Sequence, residues 1–227
     1  MSNYYNIIVS FFQSGGVFMY PIAVVLAIGV AISIERWLYL SFERARNIKA
    51  FEAFLPLLRT TDMEKMHLFT RENNAPITRI IGCGLDMMKV SKHRADIENS
   101  MNEGMLETLP KLEVRTNYLA VMANVATLLG LLGTIIGLIS AFTAVANANP
   151  AEKAQMLSQS ISVAMNTTAF GLMVAIPLMI LHAMVQNKTT AIVTSIQMSA
   201  VKFLNIMTVH RLIETNIPRQ TEKDSVS

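Results

Sequence analysis

Long uncharged stretches dominate the pattern of hydrophobic and polar positions along this chain. Three windows contain no Asp, Glu, Lys or Arg: residues 1–34, 116–151 and 154–187. Each is longer than the about 20 apolar residues that a helix needs to cross a bilayer. The pattern therefore predicts three transmembrane helices, at residues 17–36, 118–146 and 158–187.

The first window is predicted to be a span rather than a cleaved signal peptide. No basic segment precedes its apolar run, and no small-residue cleavage site follows before Glu35. The run ends at Glu35, Arg36 and Trp37, a charged and aromatic group typical of a membrane interface. Glu35 and Arg36 are expected to anchor the span there. A salt bridge from this pair to a neighbouring subunit is the alternative.

The basic residues predict how the chain is oriented in the membrane. Residues 36–115 hold 13 of the 19 Lys and Arg and the region from Lys188 onward holds 5, whereas Lys153 stands alone between the second and third spans. Because cytoplasmic segments are enriched in Lys and Arg, the N-terminus is expected outside and the C-terminus in the cytoplasm. In a bacterial inner membrane, the outside is the periplasm.

The segment between the first two spans is predicted to be helical. Apolar residues recur at helical spacing in AFEAFLPLLRT and MNEGMLETLPKLEV, and NNAP at residues 73–76 indicates a turn between two helical parts. The fold class is an all-α membrane protein whose long helices extend into a helical cytoplasmic domain. The predicted organisation is a periplasmic segment (1–16), span one (17–36), a cytoplasmic helical loop (37–117), span two (118–146), a periplasmic turn (147–157), span three (158–187), a cytoplasmic helix (188–215) and a disordered tail (216–227).

Spans two and three each carry a stripe of small and weakly polar residues. On a helical wheel, each of the two stripes lies within roughly 80 degrees. The first stripe is formed by Ala123, Thr127, Gly130, Thr134, Gly137 and Ala141, and the second by Ser160, Ala164, Thr168, Gly171, Ala175 and His182. Thr134 and Thr168 are expected at similar depth. Such stripes, and the GxxxG pair of Gly133 and Gly137, indicate either close helix packing or a polar lumen.

Composition narrows the possible chemistry. One cysteine excludes an internal disulfide framework, the four histidines show no metal-ligand spacing, and a net charge of +3 does not favour nucleic acid. No nucleophile, paired carboxylates or phosphate-binding loop points to an enzyme, so neither an enzyme nor a cofactor is expected. An ion pathway through lipid normally carries a carboxylate, and spans two and three have none. If ions cross here, another chain supplies the ionisable group.

Two runs carry a resemblance to a known family. LPKLEVRTNYLAVMANVATLLGLLGTIIGLISAF, followed by SISVAMNTTAFGLMVAIPLMI, resembles the two conserved helices of the MotA/TolQ/ExbB proton-channel family. GGVFMYPIAVV and ERWLYL, at the two ends of span one, are similar to the ExbB/TolQ side of that family. The resemblance implies a homopentamer whose second and third helices line a pore.

The resemblance also implies a partner and a function. The pore would hold the single-span helices of an ExbD/TolR-like dimer, each with a transmembrane aspartate. Thr134 in GLLGT and Thr168 in NTTAFG match the two threonines expected to face that aspartate. Ion flow down the proton motive force would drive a motor that energises an envelope process, such as TonB-dependent transport or a process that uses a TolA-like protein.

One position departs from the family pattern. ExbB and TolQ proteins commonly carry a glutamate five residues before the second threonine, where this chain has Val163, with Asn166 and Thr167 beside Thr168. Several neutral oxygens could help to coordinate sodium, so a sodium-driven motor is one alternative and a passive oligomeric scaffold is another.

The remaining candidates have narrower roles. His182 is expected to relay protons or only to lie at the interface, and Pro177 to kink span three. The residues predicted to line the ion pathway are Thr134, Thr168, Thr167, Asn166, Thr127, Ser160, Ser162 and His182. Those predicted to shape helix packing are Gly130, Gly133, Gly137, Gly171 and Pro177.

Overall fold

A computed structural model of the chain describes residue 12 and residues 15–60, 62–146 and 149–224, with side chains as far as His210. Most of the predicted segment 1–16, residues 147–148 of the predicted turn and residues 225–227 of the predicted tail lie outside these ranges. The regular secondary structure of the described residues is helical throughout. The helices are α1 (Met19–Thr60), α2 (Met63–Glu72), α3 (Pro76–Val90), α4 (Arg94–Thr108), α5 (Pro110–Glu113), α6 (Thr116–Ala146) and α7 (Lys153–Asp224).

Within the described ranges, three helices are long and apolar enough to cross a membrane. α1, α6 and α7 contain 42, 31 and 72 residues, and each exceeds the length that a bilayer requires. The prediction of an all-α membrane protein with three spanning helices is confirmed. The orientation of its N-terminus stays a prediction. α7 continues to Asp224 and so includes residues 216–224, which the sequence assigned to a tail.

Local chemistry explains where the shorter helices begin and end. Asp62 caps α2, because its carboxylate accepts a hydrogen bond from the backbone N–H of Lys65 at 3.1 Å. α3 begins at Pro76, whose missing N–H costs nothing at a first helical position. Residues 73–75 between them are not helical, so the turn predicted at NNAP is confirmed. Arg115, with a φ of 67°, separates α5 from α6.

The chain divides into two compact units. The first, the membrane unit, comprises Met1–Trp37 and Arg115–Gln186, and the second, the helical unit, comprises Leu38–Val114 and Asn187–Ser227. The core of the membrane unit joins α1, α6 and α7 through Ile22, Val25, Ala123, Ala126, Val174, Ala175 and Leu178. In the helical unit, Phe54 of α1 and Phe203 of α7 are fully buried, with ring centroids 6.0 Å apart. Each unit thus contains part of α1 and part of α7.

Much apolar surface of the spanning helices is exposed in the single chain. Only 28%, 22% and 28% of the most apolar windows of α1, of the helical stretch that contains α6 and of α7 are buried. Soluble domains rarely leave contiguous apolar surface of this extent uncovered. This surface must therefore contact lipid or other protein chains.

Candidate functional site

The two small-residue stripes pack against each other within the membrane unit. A Cβ atom added at Gly171 of α7 would lie 2.8 Å from the carbonyl oxygen of Ala126 and 3.0 Å from the Cα of Gly130, both on α6. One added at Gly137 would lie 2.8 Å from the Cβ of Ala164. The two separations of 2.8 Å are shorter than real Cβ contacts, so the backbones approach this closely because the glycines carry no side chain there.

Thr168 links the two helices by a hydrogen bond. Its hydroxyl donates to the carbonyl oxygen of Gly130 at 2.8 Å. The neighbouring contact between Gly137 and Ala164 lies two turns further along α6. Thr134 falls between these two levels, so the two threonines lie within about one helical turn of each other in depth.

Thr134 directs its hydroxyl at its own helix. The hydroxyl donates to the carbonyl oxygen of Leu131 at 2.6 Å, and the residue is half-buried. A threonine hydroxyl has one proton to donate and two lone pairs that accept. The hydroxyls of Thr134 and Thr168 both use their proton on a backbone carbonyl, so each has only acceptor capacity left for another group.

Thr167, next to Thr168 on α7, is buried. It is 2% exposed, and its hydroxyl lies 2.6 Å from the carbonyl oxygen of Gly15 and 3.0 Å from that of Val163. A Cβ added at Gly133 would lie 2.3 Å from the Cγ2 of Thr167. Gly133 therefore makes room for the Thr167 side chain, and Thr167 connects α7 to the glycine turn before α1.

Val163 contacts the same turn. Gly16 has a φ of +73°, a conformation that favours glycine, and a Cβ added there would lie 3.2 Å from the Cγ1 of Val163. The side chain at position 163 thus packs near Gly16, one helical turn from Thr167. The Gly15–Gly16 pair was visible in the sequence, but nothing in the sequence indicated that it would contact α7.

Other predicted pathway residues are more scattered. Thr127 donates to the carbonyl oxygen of Ala123 in its own helix at 3.2 Å. Ser160 is half-buried, Ser162 is exposed, and the half-buried Asn166 has an interaction partner. His182 is half-buried, and its buried Nε2 has no hydrogen-bond partner among the described residues. Pro177 is exposed within the continuous helix α7.

The charged pair at the end of span one has two different environments. Glu35 forms an ion pair with Arg115, with 3.0 Å between Oε1 and Nη1, and both side chains are about half exposed. Arg36 is 4% exposed and so is buried within the chain. The ion pair with Arg115 was not predicted from the sequence, since the two residues are 80 positions apart.

Comparison with known proteins decides the family. Residues 72–198 match the model of the MotA/TolQ/ExbB proton channel family, which is more than half of the chain. The chain belongs to the MotA/TolQ/ExbB family. It is also 28% identical over 190 residues to a protein of Methanothermobacter thermautotrophicus that is described as a homolog of the biopolymer transport protein ExbB. The aligned region covers 82% of this chain and 65% of that protein, slightly less than two thirds of its length.

The match to this MotA/TolQ/ExbB family contains the helix pair described above. It begins at Glu72, at the end of α2, and includes all of α6 and α7 as far as Met198. Thr134 and Thr168 therefore lie inside the matched region, as does Val163. The glycine turn at Gly15 and Gly16 lies before it.

Proposed function

We propose that this protein is the channel and scaffold subunit of an ion-driven membrane motor of the ExbB/TolQ kind. Membership of a proton channel family is the observation that carries the proposal. α6 contains no acidic or basic residue, and none follows in α7 from residue 154 to residue 187. The carboxylate that accepts and releases the ion would therefore come from an ExbD/TolR-like single-span partner with a transmembrane aspartate.

The threonine geometry suggests what this chain would offer such a carboxylate. Thr134 and Thr168 already donate their protons to backbone carbonyls and have lone pairs left. A protonated carboxylic acid donates a hydrogen bond, so either hydroxyl oxygen can accept it and stabilise the neutral, proton-carrying form. Once the proton leaves, the carboxylate loses that bond and is released. The two hydroxyls would thus favour one charge state of the partner and not the other.

The same geometry favours protons over sodium. A sodium site built only from neutral groups would need several oxygens from Asn166, Thr167 and Thr168. The hydroxyl of Thr167 is buried and bonded to Gly15, so it is not available to an ion between chains. Fewer neutral oxygens remain for sodium, whereas proton transfer needs only an acceptor and the partner's carboxyl group.

Assembly is proposed to follow the family pattern. The exposed apolar surface of the spanning helices is suited to further copies of this chain, and a pentamer with the N-terminus in the periplasm and the C-terminus in the cytoplasm would form the pore. In a bacterial inner membrane, the motor would energise an envelope process, such as outer-membrane transport through a TonB-like protein.

A passive scaffold is the second candidate. The observation that favours it is the close packing of Gly130 against Gly171, which gives the small-residue stripes a structural role without any pore. On this account, the threonines only satisfy backbone carbonyls.

Copurification from the native membrane separates these two functions. The motor account expects a single-span protein with one transmembrane aspartate to copurify with the chain at a fixed ratio. It also expects Thr134→Val to leave this assembly intact while ion-driven activity falls at least about tenfold, with Thr143→Val as the control. Thr143 is exposed, and within the described part of the chain its hydroxyl bonds only to its own helix. The absence of any such partner, or full activity of Thr134→Val, would favour the scaffold.

A further inference from the structure

A polar cavity in the helical unit is lined by charged side chains that have no role in the proposed channel function. It has a volume of about 280 Å³ and lies between the part of α1 after residue 38, the turn before α3, and the segment from the end of α4 through α5. A water molecule takes about 30 Å³ in the liquid, so the cavity has room for a group of several heavy atoms. Its lining includes three cationic side chains, those of Arg46, Arg79 and Lys111, and one carboxylate, that of Glu43.

The cations outnumber the acid, and their present partners leave donors available. Arg46 Nη2 donates to the carbonyl oxygen of Asn74 at 2.6 Å and lies 3.3 Å from Glu43 Oε2. Its Nε is buried and has no hydrogen-bond partner within the described part of the chain. Among the described residues, Lys111 forms only a solvent-exposed ion pair with Glu107 at 3.2 Å, and Arg79 forms no ion pair. Exposed pairs of this kind contribute little free energy and exchange readily.

Glu43 does not oppose an anionic ligand. Its side chain is 7% exposed, and its Oε2 accepts no hydrogen bond from a described residue that meets normal geometry. Burial raises the pKa of this carboxyl group, with Arg46 lowering it by a smaller amount. In its protonated form Glu43 carries no charge and can donate a hydrogen bond to a ligand oxygen. In its ionised form it neutralises Arg46, which leaves Arg79, and Lys111 in its exposed pair with Glu107, for a ligand.

The backbone at the start of α3 contributes a helix dipole to the cavity but no free hydrogen-bond donors. α3 begins at Pro76, on the cavity wall, and its N-cap residue Ala75 has no side-chain cap. The N–H of Ile77 already donates to Asn47 Oδ1 at 2.9 Å, and the next two N–H groups bond to the carbonyl of Ala75. The positive end of the α3 dipole still favours an anion here. Direct hydrogen bonds must come from the side chains.

We propose that Arg46, Arg79 and Lys111 form a binding site for a phosphate ester, with the headgroup phosphate of an anionic phospholipid as its source. Guanidinium groups bind phosphate oxygens through paired N–H donors, and an ammonium adds a compact charge. Tyr39, on the cavity wall, lies three residues beyond the predicted end of span one, which is about 4.5 Å along a helix. Aromatic and basic residues at this position are typical of the headgroup region.

The test measures lipid binding to the delipidated full-length protein by native mass spectrometry. Phosphatidylglycerol is titrated into wild type, into Arg79→Gln/Lys111→Gln and into the matched control Lys49→Gln/Arg59→Gln. The control removes two exposed cations of α1 that do not line this cavity. Loss of two charge-assisted contacts is expected to weaken the apparent affinity of the cavity variant by at least about tenfold. The control is expected to change by less than about twofold.

Inorganic phosphate and glycerol phosphate distinguish the two sources of the ligand. If neither competes with phosphatidylglycerol at millimolar concentration, the site takes the lipid headgroup. If they compete with it in wild type and bind more weakly to the cavity variant, the site takes a soluble phosphate ester. Equal loss of binding in the cavity and control variants, or no loss in either, would overturn the proposal. Arg79 and Lys111 are exposed, so the single variants Arg79→Gln and Lys111→Gln are each expected to fold. Each is expected to weaken phosphatidylglycerol binding more than the control variant does.

Discussion

Thr168 combines a packing role with the role proposed for it in the channel. Its hydroxyl proton bonds to Gly130 across two helices, and its oxygen remains an acceptor. Thr168→Ala removes both functions and leaves the carbonyl of Gly130 without this donor, so that substitution alone cannot separate them. Thr168→Ser retains the hydroxyl and loses only a methyl group. Comparing the two variants therefore isolates the effect of the hydroxyl from that of the methyl group, and measuring the assembly of each variant separates the packing role from the channel role.

A glycine pair gives a sharp prediction at the same contact. Gly171→Ala would place a Cβ 2.8 Å from the carbonyl oxygen of Ala126, and a backbone atom cannot move aside as a side chain can. We expect this variant to lose about 1–3 kcal/mol in the free energy of unfolding in detergent. Gly82→Ala is the control, because its nearest neighbour would be Thr70 Cβ at an ordinary 3.6 Å. There the helix propensity of alanine is expected to add up to about 1 kcal/mol. Equal stability of the two variants would contradict the close approach of α6 and α7.

The site was predictable from the sequence only in part. Helical spacing aligned Thr134 with Gly130 and Thr168 with Gly171, because a regular helix fixes those directions. It did not say which surface each stripe would contact, and it gave no sign that Thr167, beside Thr168, would be buried. The turn at Gly15 and Gly16 that buries Thr167 lies 152 residues away, and such a distant contact leaves no periodic signal.

At the level of elements, the junction between α5 and α6 depends on one unusual backbone conformation. Arg115 has a φ of 67°, which costs a residue with a side chain about 1–2 kcal/mol. Its ion pair with Glu35 is half exposed and contributes at most about 1 kcal/mol. The conformation is thus maintained by the direction that the backbone takes from α5 into α6 rather than by the ion pair.

Two substitutions at this junction test that interpretation. Arg115→Ala loses the ion pair and keeps the backbone strain, whereas Arg115→Gly loses the ion pair and relieves the strain. After allowance for the greater freedom of glycine in the unfolded chain, we expect the glycine variant to be more stable by about 0.5–1 kcal/mol. Unfolding in mixed micelles would measure the difference. An alanine variant as stable as the glycine variant would show that Arg115 is not strained.

His67 predicts a pH dependence in the contact between α2 and α3. Its imidazole is largely buried, and its Nδ1 lies 3.5 Å from Asp86 Oδ1. Burial, assisted by Lys89 and Arg71, lowers the pKa of His67 despite the opposing effect of Asp86. The unfolded chain therefore binds a proton at higher pH than the folded one does, so stability falls as the pH drops below about 6.5.

Amide hydrogen exchange in α2 and α3 between pH 7.5 and pH 5.5 would measure this effect. In wild type, the opening free energy is expected to decrease toward the lower pH after correction for intrinsic exchange rates. His67→Gln is expected to remove that part of the slope, and His93→Gln, at an exposed position before α4, is expected to retain it. A slope that is unchanged in His67→Gln would assign the pH dependence to other groups.

Elements were more predictable than the contacts between them. The spans follow from apolar length alone, and the turn at residues 73–75 follows from NNAP, because asparagine and proline act on their immediate neighbours. The extension of α7 to Asp224 was not predicted, since a polar composition is compatible with both a helix and a tail. The ion pair between Glu35 and Arg115 depends on tertiary structure and has no local signature.

For the whole molecule, most of the apolar surface of the spanning helices requires an environment that one chain does not provide. On α6, large apolar side chains such as Leu131, Ile135 and Ile139 are at least half exposed, and on α7 Met165, Met173 and Ile176 are as well. The glycine stripe is covered within the chain, so it is not the surface that recruits further copies. Assembly would instead use these bulky apolar faces.

The central proposal is that the hydroxyl oxygen of Thr168 accepts a hydrogen bond from the protonated carboxyl group of a partner and so supports ion transfer through it. The most direct test is proton flux, compared with sodium flux, in proteoliposomes that contain this chain and its copurified partner with the partner's periplasmic plug removed. Four forms of the chain would be compared: wild type, Thr168→Ser, Thr168→Ala and the control Thr143→Ala. We predict proton flux in wild type, Thr168→Ser and Thr143→Ala, and at least about a tenfold loss in Thr168→Ala with assembly retained. Undiminished flux in Thr168→Ala, or no flux in wild type under either gradient, would contradict the account.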